Sequence, residues 1–85
     1  MDKVSPVVAA NARALRAKQQ RRQQDVADAA QMHRSTLSLI EGGGRRITLE
    51  EVAALCRGLG VGLPALLAGA DPELLEVLQV RVEPA

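Results

Sequence analysis

Arg34, Ser35, Ser38 and Leu39 fall on the open side of a short amphipathic segment, ending at Gly42, Gly43 and Gly44. A guanidinium fork matches the acceptor edge of guanine, a hydroxyl bonds several bases, and leucine can touch a thymine methyl, so these groups have the size and chemistry to reach base edges in a major groove. Gln23 opens the segment before it. There its amide could donate to a phosphate that the free N–H groups and dipole of a helix start also favour. Arg21 and Arg22 could flank a sugar-phosphate backbone from the side opposite Arg45 and Arg46.

Such side chains need two short helices held at a fixed angle, and residues 23–43, QQDVADAAQMHRSTLSLIEGG, supply the pattern. Val26, Ala30, Met32, Leu37 and Ile40 recur at spacings that face one core, while Ala27 is small where a second helix must cross closely. The expected helices run from about Gln23 to Ala30 and from about Arg34 to Glu41, with the glycines as the stop. Upstream, Ser5 and Pro6 read as N-cap and first residue of a helix reaching about Gln20, with Val8, Ala12 and Leu15 inward. Downstream, Thr48 and Glu51 form a capping box, and Leu49, Val52, Ala53, Leu55, Cys56 and Leu59 form a buried stripe up to Gly60. A short helix over about Leu63 to Ala68 follows, and Asp71-Pro72 starts another through Leu74, Leu75 and Leu78. Leu78, Val80 and Val82 alternate with polar residues, which leaves residues 78–83 open between helix and a strand paired with a second copy. The fold class is therefore all-α: five helices in one small domain over residues 1–70, then a short C-terminal helix or extended tail over 71–85.

Composition narrows the partners. Net charge is only +1, yet residues 11–46 hold eight Arg/Lys against three Asp/Glu, and residues 47–85 hold two against six. One side suits a polyanion and the other does not. Phe, Tyr and Trp are absent, which argues against binding single strands by stacking bases on aromatic rings. A lone cysteine, no apolar leader and no run long enough to span a bilayer point to a cytoplasmic protein without membrane contact. His33 and Cys56 cannot assemble a metal site; His33 reads as a capping or phosphate-facing side chain and Cys56 as core. The glycines lack the preceding strand and following Lys-Ser/Thr of a phosphate loop, and no nucleophile stands with a base, so neither enzyme activity nor a cofactor is expected.

From about Val8 to Gly69 the sequence resembles the phage repressor/Cro (XRE-type) helix-turn-helix family. The resemblance rests on Leu15-Arg16, on Gln23 and Ala27, on Arg34 to Glu41 with its glycine stop, and on Leu59-Gly60-Val61 leading into Leu66-Leu67. It departs at Gln31, where the family often has glycine in the turn, at His33, where it often has a Ser or Thr cap, and at Arg22, where helix 2 is commonly capped. The resemblance implies a five-helix bundle that binds specific double-stranded DNA, usually as a homodimer controlling transcription. It places Arg34, Ser35 and Leu39 at base contacts. Gln23, Ser38, Arg45, Arg46 and Arg22 are assigned to the sugar-phosphate backbone, and Glu41 is expected to pair with Arg16. Dimerisation is assigned to Leu66, Leu67, Leu74, Leu75 and Leu78, because this acidic, leucine-rich half has no second layer of chain to bury it. The alternative is a protein-interaction module of the antitoxin type, with a toxin or another regulator as its partner.

Overall fold

In the computed structural model, which describes residues 2–82, six helices follow one another: α1 (Ser5–Lys18), α2 (Gln23–Ala30), α3 (Arg34–Glu41), α4 (Leu49–Leu59), α5 (Leu63–Leu66) and α6 (Pro72–Val77). The described residues contain no strand. Val8 and Ala12 of α1, Val26 and Ala27 of α2, Leu37 and Ile40 of α3, Leu55 and Leu59 of α4, and Leu66 and Leu67 meet in one core. Helices α2 and α4 approach so closely that a Cβ on Gly58 would lie 2.8 Å from the Ala30 Cβ and 3.0 Å from the Val26 carbonyl oxygen. On α2 this close approach falls at Val26 and Ala30, while Ala27, the expected crossing point, is buried in the core.

Several starts and stops differ from expectation. Asp2, not Ser5, caps α1: its Oδ1 accepts the N–H groups of Val4 and Ser5 at 3.0 and 2.9 Å, and the bonds with Ser5 hold its carboxyl below the usual carboxylate range. Ser5 is the first helical residue, buried, with its hydroxyl accepting the Ile47 N–H at 2.8 Å. Helix α2 has an arginine at its N-cap, a side chain with no acceptor for the free N–H groups. The capping is one-sided, with the Asp25 carboxylate accepting the Arg22 N–H at 3.0 Å. Thr48 and Glu51 make the full reciprocal box at α4.

Three glutamines, Gln20, Gln31 and Gln79, stand at left-handed φ of 55–57°. Each ends a helix by the same device, in which the next residue's N–H reaches back five positions: Arg21 to Arg16, Met32 to Ala27 and Val80 to Leu75. A side chain at left-handed φ costs about 1 kcal/mol more than glycine would. Because Gln31 is exposed and its side chain fills no space in the core, Gln31→Gly is expected to stabilise the fold by up to about 1 kcal/mol. Urea unfolding of variant and parent measures it, and a destabilised variant would contradict this origin of the strain.

The turn at Gln79 resolves the alternating tail. Residues 78 and 79 form a turn, residues 80–82 are in neither helix nor strand, and Val80 packs back on the core; Glu83 lies outside the described residues. Two burial expectations also change. Leu66 and Leu67 are 0% and 2% exposed, so they fill the chain's own core and are not open to a second copy, contrary to their expected place in a dimer interface. Conversely, Leu49 is 81% exposed and Ala53 exposed. Only Val52, Leu55 and Leu59 of the expected α4 stripe are buried, with Cys56 half-buried, because the first turn of α4 lies at the edge of the packed face. Leu74 and Leu75 are half-buried against the core, whereas Leu78 is open.

Candidate nucleic-acid interface

Arg34, Ser35, Ser38 and Leu39 are all exposed along α3, and Leu37, Ile40 and Glu41 are buried behind them. The spacing explains this division. Positions i, i+1, i+4 and i+5 share one side of a helix, 37 and 40 fall on the other, and 41, at i+7, lies at the border next to Arg34. Leu39 remains 60% exposed, a large apolar side chain in the middle of an otherwise polar surface. Gly43 at φ 73° ends α3 by donating its N–H to the Ile40 carbonyl, where any residue with a Cβ would be strained.

Glu41 is the anchor of this helix. It is 4% exposed, and its carboxylate accepts Arg16 Nε at 2.8 Å and Nη2 at 3.0 Å. This is the bidentate pair expected between α1 and α3, and the bond to Glu41 raises the Arg16 pKa. Arg13, one turn earlier on α1, donates to the Glu41 backbone carbonyl and closes the end of α3. The same carboxylate accepts Gln23 Nε2 at 3.0 Å, and Gln23 Oε1 accepts Arg34 Nη1 at 3.3 Å. Arg34 is thereby linked, through Gln23 and Glu41, to the framework.

The other cations divide. Arg46 is exposed in the loop after α3, and the loop is tied to α1 by the Ser5–Ile47 bond. Arg45 is held by Glu51, with Nη1 to Oε1 at 2.9 Å and Nη2 to Oε2. Glu51 is correspondingly depressed to about 2, chiefly by that contact. Arg22 is exposed and pairs with Asp25 at 3.1 Å. Arg21, in contrast, turns inward, donating to the Gly58 carbonyl at 2.7 Å, and is engaged in closing α4. His33 is exposed and makes no capping bond to α3. Its ring does not offer the short acceptor of Ser or Thr, so the capping half of its expected role fails.

The sequence did not mark the long side chains that close the helix ends. Arg57 donates to the Ala30 carbonyl at 3.3 Å, Asn11 to Leu66 and Ala68 at 2.8 and 2.9 Å, and Gln19 to Leu59 at 2.8 Å. Arg13 had one available signal, its position one turn before Arg16 on the same helix face. Among the described residues no buried side-chain nitrogen or oxygen lacks a partner, and no group of three His, Cys, Asp or Glu could hold a metal ion. Burial pushes the Cys56 thiol up. Among the described residues no helix is long and apolar enough to cross a membrane.

Known structures share this arrangement. The clp gene regulator ClgR from C. glutamicum superposes with a TM-score of 0.71 at 24% identity, over 79% of this chain and 87% of that one. The restriction-modification controller protein C.AhdI from Aeromonas hydrophila does so with 0.67 at 23% identity, over 72% and 92%. The hypothetical transcription factor NHTF from Neisseria gives 0.71 at 25% identity, over 91% and 90%. No sequence among the curated proteins matches significantly. A helix-turn-helix domain model, however, matches residues 8–78, nearly the whole chain. With α2 and α3 forming the two helices of the motif and the rest of the bundle supporting them, the chain belongs to the helix-turn-helix domain family.

Proposed function

We propose that this protein is a sequence-specific regulator of transcription that binds double-stranded DNA as a homodimer and represses from a palindromic operator. The observation that carries the proposal is the outward face of α3, where Arg34, Ser35, Ser38 and Leu39 stand together, all exposed among the described residues. In a major groove Arg34 and Ser35 donate to base edges and Leu39 meets a thymine methyl. Gln23, Ser38, Arg22 and Arg46 take phosphates, and Arg45 joins them on leaving Glu51. The names of the structural neighbours, which include a gene regulator and a restriction-modification controller, support a role in transcription.

The second copy is supported by a different face. Leu49 and Leu78 are exposed, and they border an open apolar groove lined also by Val4, Ile47, Leu63 and Val80. Apolar surface gathered in one place marks an interaction site. A two-fold axis through this face repeats α3 and so reads two half-sites, about one helical turn apart. This surface chemistry fits a cytoplasmic protein that meets DNA directly.

Selection from a random duplex pool tests the reading, since it should enrich a palindrome. Enrichment of no sequence would overturn it. Two variants then separate the roles of the two arginines. Arg34→Ala is expected to relax the preference at one base pair per half-site by about tenfold, within the 1 to 3 kcal/mol of a good bidentate contact. Arg46→Ala should weaken all duplexes alike and reduce the slope of log affinity against log salt by about 0.9 for each phosphate it no longer neutralises. Identical behaviour of the two variants on every duplex would remove Arg34 from base reading.

A further inference from the structure

Two neighbouring arginines follow α3, and the fold treats them differently. Arg46 is exposed and has no ion-pair partner among the described residues. Arg45 is half-buried and held by three donations: Nη1 to Glu51 Oε1 at 2.9 Å, Nη2 to Glu51 Oε2, and Nη1 to the Arg46 carbonyl at 2.7 Å. A guanidinium gripping both oxygens of a carboxylate already makes the bond that it would make to a phosphate. Glu51 does not depend on Arg45 for its place. Its Oε1 also accepts the Thr48 N–H at 2.9 Å, in the capping box of α4, and a carboxylate in a first helical turn is favoured by the free N–H groups there. When Arg45 leaves, this half-buried carboxylate keeps a partner, so the exchange strands no charge in the core. Glu51, depressed to about 2, is ionised throughout the neutral range. Protonation therefore does not release Arg45, whereas a competing anion does.

We propose that Glu51 is an internal competitor for the DNA backbone: it occupies Arg45 in the free protein, a phosphate must displace it, and the affinity for every duplex is lowered by that exchange. This rests on the reading of the surface around α3 as the DNA interface. A phosphate offers the guanidinium the same two oxygens, and a duplex presents such groups in dense rows on any sequence. Phosphates carry no sequence information. The reduction thus falls equally on operator and random duplex, and the preference among bases stays as α3 sets it. Arg46, with no carboxylate to leave, engages the backbone without this exchange.

The test is Glu51→Gln, with equilibrium binding measured on the duplex that the parent enriches from a random pool and on a random-sequence duplex. Glutamine also completes a capping box, so the start of α4 is kept while the charge and one acceptor are lost. The variant is expected to bind both duplexes about three- to tenfold more tightly, between the worth of an exposed ion pair and that of a hydrogen bond to a charged group. In an Arg45→Ala background most of that gain should vanish. An equal gain there would make Glu51 only a distant repulsive charge and overturn the proposal. Unchanged or weaker binding of Glu51→Gln would overturn it too, since Arg45 would then serve only to order the loop. So would a gain on the selected duplex alone, which would make Arg45 a base contact. A failure of the DNA reading itself is separately visible, because Arg46→Ala would then leave binding and its salt slope unchanged, and the proposal falls with it. Circular dichroism of each variant confirms helicity. Should glutamine disturb α4, Glu51→Ala is the second variant, since it retains the bond from the N–H of residue 51 to Thr48 Oγ1, and the same gain is expected of it.

Discussion

Replacing Gly58 with valine is expected to cost about 3 kcal/mol or more of folding stability, and with alanine about 2, although glycine is the poorer helix former. Propensity alone favours alanine at this position in α4 by about 1 kcal/mol. Packing decides the sign. The added Cβ would meet the Ala30 Cβ at 2.8 Å, the Val26 carbonyl oxygen at 3.0 Å and the Ala30 nitrogen at 3.1 Å. The last two are backbone atoms of α2, so no rotamer change relieves the clash and the two helices must separate. Valine adds two methyl groups to a space that does not hold the first carbon. At about 4 to 8 °C per kcal/mol for a domain of this size, alanine should lower the midpoint of thermal unfolding by about 10 °C. Because α2 carries Gln23 and packs on α3, the separation should also displace the proposed DNA-reading surface. An alanine variant as stable as the parent would mean that the crossing relaxes at little cost.

Gly58 also marks where the sequence stops being legible. Helices α2 and α3 run as expected from residue types alone, Gln23–Ala30 and Arg34–Glu41, because their signals are local: apolar periodicity, the small Ala27 and the glycine stop. The open side of α3 follows from the same periodicity. In contrast, nothing local to Gly58 announces the neighbour at 2.8 Å. Leu49, Leu66 and Leu67 depart from expectation for a related reason: a hydrophobic pattern tells which residues share a side, not whether anything covers it. The site divides in the same way. The Arg16–Glu41 pair is expected from the family resemblance. The Gln23 bonds join residues 18 and 11 positions apart, and the engagement of Arg45 by Glu51 depends on a loop conformation, so neither has a sequence signature.

Leu49→Asp is expected to convert the proposed dimer to a folded monomer and to lower operator affinity by at least about a hundredfold, with only a small change on non-specific duplex. Leu49 is 81% exposed at the first position of α4, so aspartate there removes little packing, and a carboxylate in the first helical turn is favoured by the free N–H groups. The isolated subunit should keep its helicity and its stability. In a two-fold interface the same substitution buries a charge next to its own symmetry mate. Leu75→Asp would be a poorer test, because Leu75 is half-buried against its own core and unfolding would mix with dissociation. The large effect at the operator follows from linkage: once one α3 is docked, the second docks at an effective concentration near millimolar, and a monomer forfeits that gain. Sedimentation of parent and variant at roughly ten micromolar, with and without the selected duplex, measures the assembly, and equilibrium binding measures the rest. A parent that sediments as a monomer in both conditions would remove the homodimer. The exposed face of Leu49 and Leu78 would then belong to a different protein, and the antitoxin-type reading would take its place.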